Sequence, residues 1–513
     1  LVGSEMCIRD SSNTTAEDQL KIDVGGYNPL LGKGYGELAA ESRSQHKSQG
    51  FGVPAGRGSS YEYFLNLEGS PARKDLMEGV DVSWGRIPGS ERLQLMIDSA
   101  IRSYQLSEPL ATLPALLRIA QELRQLPDGY WSRLKSKEVQ RLIEACTGLW
   151  LEALSPSEYA VQGDTLRVTL NAINRLGGAV RLRRISVSGT DTSMDQPLEA
   201  NRLYTVVRNF FVDTSFPVSQ PYWMVEKPSA GSFNVNHQEL IGQAQNAPAV
   251  EVQFEIDISG QRFVYTRPVQ YKFTDPVKGE LYEPLVIVPS AVVSTDPGLL
   301  IFRKDQQQEA TYTTRLTAYR SLPPSMVNVS GRMGASSKSV QESSLSLSKG
   351  ISRSYPLPIS SRDLKGKESE TILPFVSLRQ GSVEIPAYLS VTSIKYDHIP
   401  HIHYFYQDAV KALNIDLKTA GSKVGYIEGA GDKVPVALGQ MGYEVTVLKE
   451  KDLAMPYLAQ FDAIITGVRA YNVNEFMADR YDALMQYVSG GGNLIVQYNT
   501  CLLYTSPSPR DVE

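Results

Sequence analysis

Cysteine is nearly absent from this 513-residue chain, with 3 in all, and no pair has the spacing of a zinc knuckle or a disulfide framework. Histidine is almost as scarce, at 5. No stretch approaches the roughly 18 uncharged apolar residues that read as a membrane span. An excess of positive charge is missing too. The 51 Lys and Arg face 56 Asp and Glu, which argues against a general nucleic-acid binder. What is present is a 42% hydrophobic chain with 40 Gly and 29 Pro, long enough for roughly three or four domains. The composition describes a globular, multidomain protein and is silent on activity.

The two ends stand apart from the rest. Residues 1–11 read LVGSEMCIRDS, and CLLYTSPSPRD begins at Cys501. One nucleotide sequence encoding the first, read from the opposite strand and shifted in frame, encodes the second. Both resemble a translated sequencing-library adapter, so residues 1–11 and 501–513 are set aside as processing scars are. About residues 12–500 are then native, Cys146 is the one native cysteine, and the net charge moves from −5 to −3 as four acidic and two basic residues leave. The expectation is of a window on a longer protein, with a signal peptide or catalytic motif lying outside it.

Along the window the periodicity changes three times. Residues 12–89 are Gly-rich and loop-like at first, and loops often carry binding groups. Residues 90–155 read as helical, with Leu113, Leu116, Leu117, Ala120 and Leu123 on one stripe and Val139, Leu142, Ile143 and Cys146 on another. Cys146 on that stripe reads as a buried core thiol rather than a nucleophile. From Ser155 the period becomes two. Strand-like segments over 156–276 and 284–396 predict two β-sandwiches, with a boundary near Pro276–Glu283 and a long polar loop over Gly334–Ser354. Residues 400–500 alternate strand and helix, which predicts a doubly wound parallel sheet.

Three constellations bear on chemistry. His46, in Glu41-Ser-Arg43-Ser-Gln-His46-Lys-Ser-Gln-Gly50, is either an exposed histidine without a role or an imidazole offered to a metal or substrate. His398, His401 and His403 cluster at Asp397-His398-Ile-Pro-His401-Ile-His403. In extended chain the last two share a side, so they suit a metal, or else a linker whose rings pack and hydrogen-bond. Gly429-Ala-Gly431-Asp432 follows a strand as phosphate-cradling loops do, but Val434 breaks the GxGxxG pattern and a tight turn is the plainer reading.

The segment GYNPLLGKGYGELAAESRSQHKSQGFG (26–52), with WGRIPGS (Trp84–Ser90), resembles the large bacterial PIG-L/LmbE-type zinc-dependent N-deacetylases, and the order of the later domains matches theirs over most of 12–500. The resemblance implies a Rossmann-like α/β catalytic domain, of which 12–89 is the C-terminal part. It also implies an N-acetylglucosamine-type substrate or glycoconjugate, zinc as cofactor, and export from the cytoplasm. In that family an early His-Pro-Asp-Asp-Glu loop supplies zinc ligands and the general base, and a later His-x-x-His supplies a ligand and an oxyanion-stabilising histidine. The second position falls on His46, as zinc ligand. The first falls on Arg43, whose guanidinium can stabilise an oxyanion but not shuttle a proton near neutrality. The early loop has no counterpart here, so the window as it stands is expected to bind zinc poorly and to be inactive.

FDAIITG (461–467) and YVSGGGNLIV (487–496) are similar to class I glutamine amidotransferase-like modules, which implies a noncatalytic or binding role for 400–500, no native cysteine being present there. The competing reading of the whole is a non-enzymatic carbohydrate- or surface-binding protein. No motif speaks to the oligomeric state.

Overall fold

Apolar residues at helical spacing between Ser90 and Gly148 form three helices, Glu91–Ser103, Leu113–Gln125 and Tyr130–Thr147. They appear in a computed structural model that describes residues 19–304, 306–334 and 336–500. Both adapter-like ends lie outside the described residues. The middle helix opens with Pro114 in its first turn, where the missing N–H costs nothing, and buries Leu113, Leu116, Leu117, Ile119, Ala120 and Leu123. At about 1.5–3 kcal/mol per buried aliphatic side chain, that stripe is what holds the helix down. The third helix stops at Gly148, which takes a left-handed conformation. The helical pattern expected to reach Ser155 therefore ends eight residues early, and Leu149–Ser155 is a strand. Cys146 is buried, as its place on the stripe implies.

The chain divides into two compact units at Gly148 and Leu149. Besides these helices, the first holds a two-stranded antiparallel sheet, Leu20–Asp23 with Tyr61–Phe64, and the helix Tyr35–Ser44. Glu37 starts that helix by accepting the Gly34 N–H at 2.9 Å while pairing with Arg57 at 2.8 Å. The ELAAESRS stretch, expected as loop, is thus helical.

The second unit is mostly β, with curled sheets. Its first sheet has eight strands, built around Gln261–Asp275. Residues up to Pro268 pair with Glu251–Ile258, and residues from Val269 run parallel to Leu149–Ser155. The Pro276–Glu283 stretch, expected as a boundary, is instead a hairpin, because Gly279–Pro284 pairs back onto Gln270–Asp275. Two further sheets, of three and six strands, send side chains into one core that includes Val293, Phe302, Tyr312, Val329, Leu357 and Val376. The expected polar loop at Gly334–Ser354 is also strand, with Ser336–Leu347 paired to Leu322–Met333. Its serines alternate outward against inward Leu345 and Leu347, a period-two pattern hidden by polar composition.

In that core Gly331 lies against the fully buried Tyr312. A Cβ at Gly331 would stand 1.8 Å from the Tyr312 hydroxyl and 2.9 Å from Ile372 Cγ2. Burial pushes the phenol up to about 12, and neither neighbour has room to retreat. Gly331→Ala is expected to cost about 1–3 kcal/mol through overpacking, read as a lowered urea midpoint. An unchanged midpoint would show that the core yields there.

The four-stranded parallel sheet runs in the order Glu444–Leu448, Lys423–Ile427, Ala463–Thr466, Asn493–Val496. Val434 and Leu438 of the helix Val434–Gln440 cover the face carrying Val424 and Tyr426. Leu484 and Tyr487 of the helix Tyr481–Ser489 cover the face carrying Ile427 and Ile464. This sheet begins at Lys423, not near 400, because Ile402–Gln407 and Val410–Ile415 pair with the preceding strands. Among the described residues no helix is long and apolar enough to cross a membrane.

Candidate functional site

His401 and His403 converge on one carboxylate that the sequence reading did not single out. Ser155-Pro-Ser-Glu158 makes a tight turn between two strands, with Ser155 Oγ donating to the Ser157 carbonyl at 2.6 Å and accepting the Ser157 N–H at 3.1 Å. The turn delivers Glu158. Its Oε1 lies 2.9 Å from both His401 Nδ1 and His403 Nε2, and Oε2 lies 3.1 Å from Lys395 Nζ. A carboxylate only accepts, so both imidazoles donate to it.

Strand geometry explains the convergence. Side chains at 401 and 403 share a face, and the register places Ser393 directly opposite His403. Ser393 Oγ then takes the other ring nitrogen, Nδ1, at 2.9 Å, and Tyr159 packs edge-on against the ring at 5.3 Å. His403 is 2% exposed. Glu283 completes the cluster, accepting the His401 N–H at 3.1 Å with Oε1 3.6 Å from His401 Nε2. His401 and His403 also line a cavity of about 520 Å³ with Gln220, Trp223, Asn246 and Ile287.

Burial works against the charge on Glu158, yet the hydrogen bonds from His403, His401 and Lys395 outweigh it and hold the carboxyl at about 2, against an ordinary 4.5. A carboxyl lowered in the folded state adds stability above its unfolded value and loses it as pH falls through the folded one. The contribution is on the order of 3 kcal/mol at neutral pH. Denaturant midpoints of the chain are therefore expected to fall between about pH 4.5 and 2. Glu158→Gln should flatten that portion of the profile, and an unchanged slope would remove the assignment.

His398 does not join this cluster. Its ring is exposed beside Tyr396 at 5.8 Å, and Asp397 is held by Lys278 at 2.7 Å. His398 separates from the other two because it lies in a turn ahead of Pro400, whereas His401 directly abuts the strand that begins at Ile402. Among the described residues no group of three or more His, Cys, Asp or Glu is arranged to hold a metal ion. The pair His401–His403 satisfies a buried charge and fixes two imidazoles on a cavity wall.

Arg43 and His46 sit at the end of the helix Tyr35–Ser44, joined through the His46 N–H and the Arg43 carbonyl at 3.1 Å. Arg43 is exposed and His46 half-buried. Nδ1 of His46 lies 3.1 Å from the Gln49 side-chain oxygen and donates to it, which leaves the lone pair on Nε2. Gly429–Asp432 is a tight turn. A Cβ on Gly429 would lie 2.1 Å from the Val468 carbonyl, and Asp432 fills the space, accepting from Tyr426 and from the Val434 N–H. A carboxylate there repels phosphate.

No protein-family model matches the chain, and no curated protein does. Solved structures that it is similar to include red sea bream transglutaminase (11% identity over 51% of this chain and 34% of that one, TM-score 0.24). A protein of unknown function from Porphyromonas gingivalis matches at 12% identity over 52% of this chain and 99% of the other, with a TM-score of 0.14. A DUF4785 family protein from Legionella pneumophila matches at 10% identity over 45% and 53%, also with a TM-score of 0.14. The match thus spans about a third of the transglutaminase and about half of the Legionella protein. Likenesses at these scores assign neither fold nor activity.

Proposed function

We propose that this chain is part of a zinc-dependent N-deacetylase acting on N-acetylglucosamine-type glycoconjugates in an exported setting, with His46 as a zinc ligand and Arg43 beside the reacting amide. The observation that carries the reading is the state of His46. One ring nitrogen is held by Gln49, and the other, without a hydrogen-bond partner among the described residues, carries the lone pair. Metal-ligating imidazoles are set in this way by an outer acceptor. The described residues supply this one ligand and not a full set, so no step is derived through the metal. When bound, zinc polarises a carbonyl and acidifies its water.

Arg43, a fixed cation one helical turn before His46, suits a developing oxyanion. It does not carry protons at neutral pH, so the proton transfers belong to a carboxylate elsewhere. In this reading residues 12–89 close a Rossmann-like catalytic domain, the two β-rich regions are sandwiches, and the parallel sheet is a noncatalytic amidotransferase-like module. The test is acetate release from chitin oligosaccharides by the full-length protein. Release that stops on chelation and returns with zinc is expected, and no release under any metal condition would overturn the proposal.

A further inference from the structure

The six-stranded sheet ends on the strand Leu299–Arg303, which pairs in parallel with Val410–Ile415 and, among the described residues, with no strand on its other side. The bonds to Val410–Ile415 use the Gly298 carbonyl and the Lys304 N–H. Backbone groups alternate along a strand, so those of Leu299, Ile301 and Arg303 face outward. Leu300 and Phe302 are buried in the core, at 2% and 1% exposure. Leu-Leu-Ile-Phe carries neither charge nor proline, the composition that recruits further strands. Natural edges of this kind are kept closed by charge, a bulge or a cover.

Here the cover is a pair of glutamine side chains. Gln440, the last residue of the helix Val434–Gln440, lies along the edge. Its Oε1 accepts the Ile301 N–H at 2.9 Å, and its Nε2 donates to the Leu299 carbonyl at 2.8 Å. One donor and one acceptor in register are what a peptide group of a neighbouring strand would present. Gln308 Oε1 takes the next outward N–H, that of Arg303, at 2.7 Å, and the Gln306 N–H donates to the Arg303 carbonyl at 3.2 Å. The Arg303 side chain turns toward the parallel-sheet module. Its guanidinium donates to the Met441 carbonyl just past the helix end, and to Thr419 Oγ1 at 3.4 Å. A Cβ at Gly442 would run into that guanidinium. The remaining charged contact, Lys433 with Asp296 at 3.1 Å, is exposed and contributes little.

This arrangement gives the parallel-sheet module a task that needs no catalysis. A carboxamide replaces one peptide group and then stops, so it satisfies the edge without extending the sheet. We propose that the module guards this edge, and that the surface beneath Gln440 is a strand-accepting site whose partner, once Gln440 is withdrawn, is the same strand of a second copy. Strand addition uses the outward Ile301 N–H and Leu299 carbonyl that Gln440 now occupies. Leu299–Arg303 is carried by every copy, and two such strands running antiparallel about a two-fold axis are self-complementary. The inference rests on Leu299–Arg303 and Gln440–Gly442 and is independent of the deacetylase reading.

The experiment compares the chain with its Gln440→Ala and Gln440→Met variants by hydrogen exchange resolved at Ile301, by sedimentation over a range of concentrations, and by titration with the synthetic peptide LLIFRK. In both variants the Ile301 amide is expected to exchange about 10-fold faster or more, while the central strand Leu322–Met333 keeps its protection. The variants should gain mass with concentration and bind the peptide, and the wild type should do neither. Gln440→Met keeps the side-chain length and removes both hydrogen bonds, so it carries the test if circular dichroism shows the alanine variant unfolded. Wild-type exchange at Ile301 in the folded variants, or faster exchange without gain in mass or peptide binding, would overturn the proposal. Acetate release by the full-length protein bears on the deacetylase reading alone.

Discussion

Glu158→Ala is expected to cost about 3–5 kcal/mol of stability at neutral pH, the range for breaking one side of a buried charged cluster. The variant strands three donors at once. His401 and His403 lose their shared acceptor, and His403, at 2% exposure, has no water to replace it. Lys395 loses its carboxylate as well. The missing bulk also leaves Tyr159 and Tyr319, which stack edge-on at 5.3 Å, with less to pack against.

The sign of the pH effect separates this loss from simple cavity formation. As pH falls toward about 2, the wild-type carboxyl protonates and surrenders its advantage. The gap between wild type and variant should therefore close in acid. Urea midpoints at neutral pH and near pH 3 measure both quantities. A loss below about 1 kcal/mol would place the cluster among surface pairs, which contribute little.

His46→Ala is expected to abolish acetate release by the full-length protein, since it removes the zinc ligand that this reading assigns to the described residues. Gln49→Ala tests the same arrangement more finely. It removes the acceptor at 3.1 Å that fixes the tautomer, and loss of such an outer partner typically costs 10–100-fold in metal affinity or activity. Arg43→Ala should lower kcat by about 10²–10³-fold, as for one lost oxyanion donor, with KM little changed. Arg43→Lys should recover part of it through charge alone. A Gln49→Ala variant with normal zinc affinity, or an Arg43→Ala effect confined to KM, would assign these residues a structural part only.

Helix stripes were legible because the apolar period is local. Leu113, Leu116, Leu117, Ala120 and Leu123 are all buried together, and the parallel strands Lys423–Ile427 and Ala463–Thr466 stand where apolar runs predicted them. Local patterns misled where two periods overlapped. The Leu-Trp-Leu-Glu-Ala-Leu stretch fits a helix until Gly148 turns left-handed, and then its alternation wins. Serine-rich polarity hid the strand Ser336–Leu347.

The cluster was half legible. His401 and His403 announced themselves by rarity and spacing, whereas Glu158 lies 243 and 245 residues away in a turn whose sequence is that of an ordinary surface loop. Only topology joins them. The same holds for Glu152 and Tyr282, which hydrogen-bond at 2.7 Å because Gly279–Pro284 folds back beside Lys272. Spacing cannot express a contact made by sheet closure.

Zinc content after dialysis against a mild chelator tests the central claim most directly, measured on the full-length protein and its His46→Ala variant with matched circular dichroism. The account predicts that the wild type retains zinc and that the folded variant releases it. Equal zinc in both proteins, or none in the wild type after zinc is supplied, would contradict it.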